Sequence, residues 1–318
     1  MGLNLNDLTF NIFCAKFEIM SLESALTRPI DYSTNLSFQE VNQEKIDLVV
    51  AEFYQTIDLI KYDSFWYFLH LLQNNLQLSA VDYRKENPQT HNNSNGTCVD
   101  LAIFLQGNLS KIGLQANILR MVDIQKTDGK LSEHIALSVP IHLLGHNKFL
   151  ILDERTGIFL VNETGQVEIL KQFYDQSTKI YKLSESFAIE TQKGEETRIS
   201  EFNPQQNYLY PHNHLMKKTL LYTKYLLYRD RNKEGQNMCY LIFDLKTKPY
   251  KIKIKAMEEK LEIVIDSQTN LSKYLQDNPV FDALSFNLGI EQTKILTNLQ
   301  TIINNIGKLE AFWKINKI

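Results

Sequence analysis

The sequence predicts an α/β (α+β) protein of three lobes: a helical N-terminal region over 1–95, an antiparallel β-barrel carrying a Cys helix over 96–205, and an α/β lid with a C-terminal helix over 206–318. Three observations predict it. Apolar residues recur at helical spacing before residue 80 and again from Cys98, they switch to a period of two from Ala116 to Val161, and they return to helical spacing near the C-terminus.

The N-terminal region reads as two helices, one through Ile46, Val49, Val50, Phe53, Ile57, Leu59 and Ile60 and one through Phe65, Phe68, Leu69 and Leu72. Pro88, His91 and a run of Asn and Ser mark the loop that follows, Asp82 to Asn95. A third helix then begins at or beside Cys98, runs through Leu101, Phe104, Leu105, Leu109 and Ile112, and stops at Gly113. Period-two runs at 116–124, 135–141, 149–152 and 158–161 predict four strands. The turn sequences Asp128-Gly129, Gly145-His146 and Thr156-Gly157 join them into an antiparallel meander packed on the Cys98 helix. Glu190 to Asn207 reads as a polar stretch, after which strand-like runs resume at 220–229, 238–245, 250–254 and 261–265. A helix near Gln268 to Gln276 and one long amphipathic helix bearing Ile295, Leu296, Leu299, Ile302, Ile303 and Ile306 complete the chain.

Composition narrows the function classes. The 318 residues hold 34 Lys+Arg against 37 Asp+Glu, a formal net charge of -3, so nothing points to a phosphate-tracking nucleic-acid surface. With 12 Gly and 7 Pro, the chain is neither collagen-like nor linker-rich. The N-terminal segment has Asn4, Asn6 and Asp7 and no basic run before its apolar residues, and Asn6 breaks the myristoylation pattern that Gly2 would open. No apolar run reaches the roughly 18 residues of a membrane span. The expectation is a cytoplasmic protein with no membrane and no nucleic-acid partner, whose three cysteines, Cys14, Cys98 and Cys239, are reduced.

Chemistry concentrates at Cys98, His134 and Asp153. A thiol at a helix N-terminus sits among N–H groups that the helix leaves unpaired, at the positive end of its dipole, and the same groups can hold a tetrahedral oxyanion. Along Ser132 to Ile141 the even positions His134, Ala136 and Ser138 oppose the apolar Ile135, Leu137 and Val139, so His134 is expected on a polar face that the core does not claim. Asp153 closes the apolar run Phe149 to Leu152, where its carboxylate can accept the far ring N–H of His134 and fix the tautomer. Nucleophile, base and orienter thus follow in chain order. The other candidates read as structural: Cys14 and Cys239 as packing thiols, His142 and His146 as turn residues without metal-ligand spacing, and the alternating Lys251, Lys253 and Lys255 as the wet face of a strand. His212 and His214, two apart in a loop, read as solvent-exposed, with substrate lining as the functional alternative.

The segments Gly96-Thr97-Cys98-Val99-Asp100, Lys111-Ile112-Gly113-Leu114 and Glu133-His134-Ile135-Ala136-Leu137 resemble the papain-like Cys-His-Asp superfamily that includes transglutaminases and arylamine N-acetyltransferases. Phe202-Asn203-Pro204, Tyr225-Leu226-Leu227-Tyr228-Arg229, Glu234-Gly235-Gln236, Leu261-Glu262-Ile263 and Leu288-Gly289-Ile290 resemble the third domain of the arylamine N-acetyltransferases in order and spacing. The resemblance spans about Asn95 to Ile290. It implies a Cys98 nucleophile, a His134 base and its partner Asp153, moving an acyl group from acetyl-CoA to a small-molecule amine by a ping-pong route without a metal. Gly96, Thr97, His212 and His214 are the candidate substrate contacts. Two segments depart from the family: Ser94-Asn95-Gly96 stands for Arg-Gly-Gly, and Asp153-Glu154-Arg155-Thr156-Gly157 for Asp-Val-Gly-Phe-Gly. An aromatic-Glu pair after the nucleophile is also replaced, by Val99-Asp100. In the family these positions line the donor and acceptor cleft, so the donor is open between acetyl-CoA and another acyl thioester, including one on an acyl carrier protein. The same triad would serve a transglutaminase-like amidase or peptidase, and a non-catalytic binding protein retaining the fold is the third reading.

Overall fold

The computed structural model describes residues 32–33, 36–63, 95–126, 133–173, 177–208, 224–231, 237–245, 248–266 and 268–316. The second N-terminal helix expected at 65–72, together with Cys14, His212 and His214, lies outside them.

Helix α1 (Gln43–Leu59) starts where Asn42 caps it, its side chain accepting the Lys45 N–H at 2.9 Å, and it buries Ile46, Val49 and Phe53. Helix α2 (Cys98–Lys111) runs into the turn at Gly113, whose φ of 78° is the left-handed conformation that ends a helix cheaply at glycine. Short strands precede and flank these helices: β1 (Tyr32–Ser33), β2 (Gln39–Glu40), β3 (Lys61–Asp63) and β4 (Asn95–Gly96).

The middle of the chain is an antiparallel sheet of eight consecutive strands: β5 (Asn117–Lys126), β6 (Glu133–Leu143), β7 (His146–Asp153), β8 (Gly157–Asn162), β9 (Val167–Gln172), β10 (Ser177–Lys182), β11 (Phe187–Lys193) and β12 (Glu196–Phe202). They lie in the order β10-β11-β12-β5-β6-β7-β8-β9, with β2 added in parallel to β6. The two ends of this path curl toward each other into a nearly closed barrel. Lys182 of β10 donates its Nζ to the Glu163 carbonyl in the turn after β8. Gly165 in the same turn has φ of 89°, and a Cβ there would lie 2.8 Å from the Lys182 Cβ, so only glycine permits the approach.

Closure gives the barrel two buried faces. Ile135, Leu137, Val139 and Ile141 pack outward with Ile118, Leu150 and Leu152 against Val99, Ala102, Leu105 and Leu109 of α2 and Phe53 of α1. Leu119, Met121, Ala136, Phe149, Ile151, Phe159, Phe187 and Phe202 fill the interior. The expectation of an uncommitted polar face on β6 is therefore corrected: Ala136 and Ser138 are 3% and 0% exposed. The small residues that looked like a solvent face are the ones that fit the inside of a narrow barrel. The polar stretch 190–207 is likewise corrected, since it holds the end of β11, all of β12 and the short β13 (Asn207–Tyr208). Strands β9 and β10 each carry an exposed face, which thins their apolar signal.

A second sheet, β17-β16-β15-β14-β3-β4, forms the C-terminal lobe from β14 (Lys224–Arg231), β15 (Asn237–Asp244), β16 (Tyr250–Ala256) and β17 (Glu259–Ile265), completed by the two strands from the N-terminal region. Along β16, Tyr250, Ile252, Ile254 and Ala256 are buried while Lys251 and Lys253 point outward toward Glu262 and Asp244, as the alternation predicts. Helix α3 is confined to Ser272–Leu275, because Asp266 holds the Gln268 N–H and the Thr269 hydroxyl in a turn. Helix α4 (Pro279–Leu288), with Asn278 capping it, joins this core. The long C-terminal helix is two: α5 (Gln292–Asn304), burying Ile295, Leu299, Ile302 and Ile303, breaks at Asn305 before α6 (Ile306–Asn316). No helix among the described residues is long and apolar enough to cross a membrane.

Candidate active site

Cys98 is the first residue of α2, and the local sequence explains why the helix begins there. Thr97 is the N-cap: its hydroxyl accepts the Val99 N–H at 3.3 Å and donates to Asp100 Oδ2 at 2.9 Å, while its own N–H donates to the same Asp100 oxygen at 2.7 Å. This reciprocal capping box closes the first turn and fixes the direction of the Cys98 side chain. Thr97, expected to contact substrate, is 2% exposed and has its hydroxyl committed to the cap. Gly96 is the last residue of β4, immediately before that cap, and its backbone pairs with Tyr62 of β3.

The Cys98 side chain is half-buried and stands near enough to His134 on β6 to favour a proton on its ring. His134 is 7% exposed, and its Nε2–H donates to Asp153 Oδ1 at 2.6 Å. A carboxylate only accepts, so Nε2 carries a proton and Nδ1 is the ring nitrogen left for the sulfur. Asp153 is the last residue of β7 and is 0% exposed. His134 faces the barrel interior beside Met121, its neighbour on β5, and Asp153 continues the interior series Phe149 and Ile151. The pleat thus delivers base and carboxylate to one face, and the helix delivers the thiol to their edge.

Both oxygens of Asp153 accept hydrogen bonds. Besides His134, Oδ1 accepts the Arg155 N–H at 2.9 Å, and the buried Thr156 hydroxyl donates to Oδ2. The turn that makes these bonds ends at Gly157, where φ is 131° and a Cβ would meet the Lys171 carbonyl oxygen at 2.2 Å. The electrostatics follow. Burial disfavours charge on both groups, but the Asp153 carboxylate outweighs it at His134, whose pKa rises from 6.5 to about 9. At Asp153 burial again opposes, and the His134 charge and hydrogen bond prevail, holding the carboxyl well below the usual range. The site is a charged pair with a thiol against it.

Among solved structures the chain is similar to arylamine N-acetyltransferases, over most of its length at low identity. The Bacillus anthracis arylamine N-acetyltransferase C shares 14% identity, with 86% of this chain and 98% of that chain covered and a TM-score of 0.44. The Bacillus cereus enzyme described as having a Cys-His-Glu triad shares 15%, with 81% and 93% covered and a TM-score of 0.44. The Salmonella typhimurium enzyme shares 15%, with 77% and 86% covered and a TM-score of 0.40. At such identities the likeness is one of fold alone. No protein-family model matches the sequence, and no curated protein does.

The remaining candidates lie elsewhere. His142 sits at the far end of β6, its Nδ1 2.9 Å from Asn147 Oδ1, roughly 25 Å along the strand from His134. His146 opens β7 at that same end. Cys239 is a fully buried residue of β15. The structure adds residues that the sequence reading passed over. Arg155 and Thr156 complete the Asp153 turn, and Asp123, Arg198 and Ser200 lie in a buried cluster beside it. Signals for them existed: an Asp followed two and three residues later by turn partners reads as an Asx-type turn, and Asp123 shares the strand parity of the apolar Leu119 and Met121.

Proposed function

We propose that the protein is an N-acyltransferase that carries an acyl group on Cys98 from a thioester donor to an amine. The observation that supports it is the hydrogen-bonded pair His134–Asp153 with Cys98 at the start of α2 beside it, in which the base is buried, oriented and ion-paired while the thiol is not closed off. In the first half-reaction the Cys98 sulfur attacks the thioester carbonyl carbon. Thr97 already accepts the Val99 N–H, so the N–H of Cys98 itself, at the positive end of the helix, receives the oxyanion. The donor carbon–sulfur bond breaks, and the leaving thiolate takes the proton held by His134. In the second half the amine attacks the Cys98 thioester and gives its proton to the imidazole, and Cys98 departs with the amide formed.

The donor class comes from the resemblance of the Gly96 to Asp100 segment, with acetyl-CoA and acyl carrier protein thioesters both within it, and the acceptor is a small aromatic amine or hydrazine. No metal enters this chemistry. Cys98 and Cys239 are free thiols, in keeping with work in the reducing cytoplasm. Steady-state kinetics with acetyl-CoA and an arylamine test the proposal: parallel double-reciprocal lines, with no turnover in Cys98→Ala, are expected. Intersecting lines, or a Cys98→Ala variant as active as the wild type, would overturn it.

A further inference from the structure

Beside the His134 and Asp153 pair, the barrel interior holds a second buried charge group. Asp123 on β5, 1% exposed, lies between two guanidinium groups, 3.6 Å from Arg155 Nη1 and 3.5 Å from Arg198 Nε. Ser200 on β12 ties it together, donating to Asp123 Oδ1 at 2.7 Å and accepting Arg155 Nη2 at 3.2 Å. A register shift between Ile199 and Ser200 puts Ser200 directly opposite Asp123, the kind of bulge that re-aims a side chain. Arg155 therefore does two things at once. Its backbone N–H holds Asp153, and its side chain crosses to the neighbouring β5 and β12.

We propose that Arg155 is a positioning residue for the His134–Asp153 pair, anchored by Asp123 and Ser200, and that its charge weakens the hold of His134 on its proton. This rests on reading His134 as the base. The ion pair with Asp153 tightens the hold of His134 on the proton that the leaving thiolate must take. A guanidinium held at Asp123 and Ser200, next to the Asp153 turn, opposes a second positive charge on the ring and so offsets part of that stabilisation. The groups that face His134 are Cys98 from α2, Asp153 from β7 and Arg155 from the β7–β8 turn, with uncharged Met121 opposite on β5. Glu133, the neighbouring residue, pairs with Arg120. Asp123 and Ser200 matter because a guanidinium without its anchors would be free to turn away.

The test reads His134 directly. Imidazole resonances are titrated by NMR in wild type, Arg155→Gln and Asp123→Asn, with the His134 signal assigned by its loss in His134→Asn. Arg155→Gln is expected to raise the His134 midpoint by about half a pH unit or more, and Asp123→Asn, which frees the guanidinium to turn away, to raise it by less. Arg155→Lys, which keeps the charge, is expected to stay nearer the wild type. A folded Arg155→Gln or Asp123→Asn protein with the wild-type midpoint would overturn the proposal, and Asp123→Asn decides alone if Arg155→Gln fails to fold. The titration needs no substrate. Displaced midpoints in a protein that transfers no acyl group would refute the functional reading and leave this inference intact, whereas unmoved midpoints in an active enzyme would do the reverse.

Discussion

His134 Nε2 and Asp153 Oδ1 meet at 2.6 Å at the inner edge of the barrel, with the carboxylate fully buried and its other oxygen taken by Thr156. A buried carboxylate this well satisfied is ionised, and it keeps a proton on the histidine. Protein stability should therefore follow pH in a particular way. His134 holds its proton up to about pH 9 against an ordinary 6.5, so between those values the folded chain binds more protons than the unfolded one. Its contribution, roughly 3 kcal/mol, is complete below pH 6.5 and lost as pH rises through 9. Asp153 sets the acid side: its contribution is complete above its ordinary 3.8 and lost as pH falls through the lowered native value. Urea unfolding of wild type and His134→Asn across these intervals checks this. The gap between the two proteins should narrow from pH 6.5 to 9, and a gap independent of pH would contradict it.

Asp153→Asn keeps the shape of the site but removes the anion. The variant should lose about three orders of magnitude in turnover, because the ring is no longer held in the productive tautomer or stabilised when charged. It should also lose roughly 3–5 kcal/mol of stability, the cost of breaking a buried pair from one side. Turnover and urea midpoints measured together separate the two effects. Activity reduced only in proportion to the folded fraction would show Asp153 to be purely structural.

Thr97→Ala removes the hydroxyl at the centre of the capping box. A loss of about 1–2 kcal/mol is expected from denaturant unfolding, with Thr97→Ser restoring most of it. Because the cap sets the first turn, the alkylation rate of Cys98 should fall in Thr97→Ala as well. An unchanged rate would mean that the Cys98 side chain is held by something other than the helix start.

Cys98 and Cys239 offer an internal comparison within one chain. Cys98 is half-buried at a helix start beside a basic histidine, whereas Cys239 is 0% exposed in the second sheet. Iodoacetamide at neutral pH should label Cys98 first, by more than about tenfold, as peptide mapping would show. Equal rates would remove the case for an activated thiol.

Much of this was legible in the sequence for physical reasons that differ by element. The strands from Asn117 to Asn162 were readable because one face packs on helices with Ile, Leu and Val at every second position. The His134–Asp153 pairing and the place of Cys98 at a helix start were readable because a strand, a strand end and a loop-to-helix junction set where those side chains stand. The face of His134 was misjudged, since a residue pattern cannot say that a sheet will curl until its second face is also buried. Strands β11 and β12 went unread because Glu190, Thr191, Arg198 and Ser200 look like loop residues until the barrel encloses some of them. The Asp123, Arg155 and Ser200 cluster depends on three distant stretches meeting, and no local pattern carries that. The break at Asn305 escaped notice because Ile302, Ile303 and Ile306 keep helical spacing across it.

The central claim is that Cys98 carries the acyl group. Intact-protein mass after incubation with acetyl-CoA and a set of longer acyl thioesters, wild type beside Cys98→Ala, tests it most directly. The wild type should gain the mass of one acyl group, lose it when an arylamine is added, and show neither change once Cys98 is replaced. Wild-type protein left unmodified by every thioester offered, or an adduct that persists in Cys98→Ala, would contradict the account.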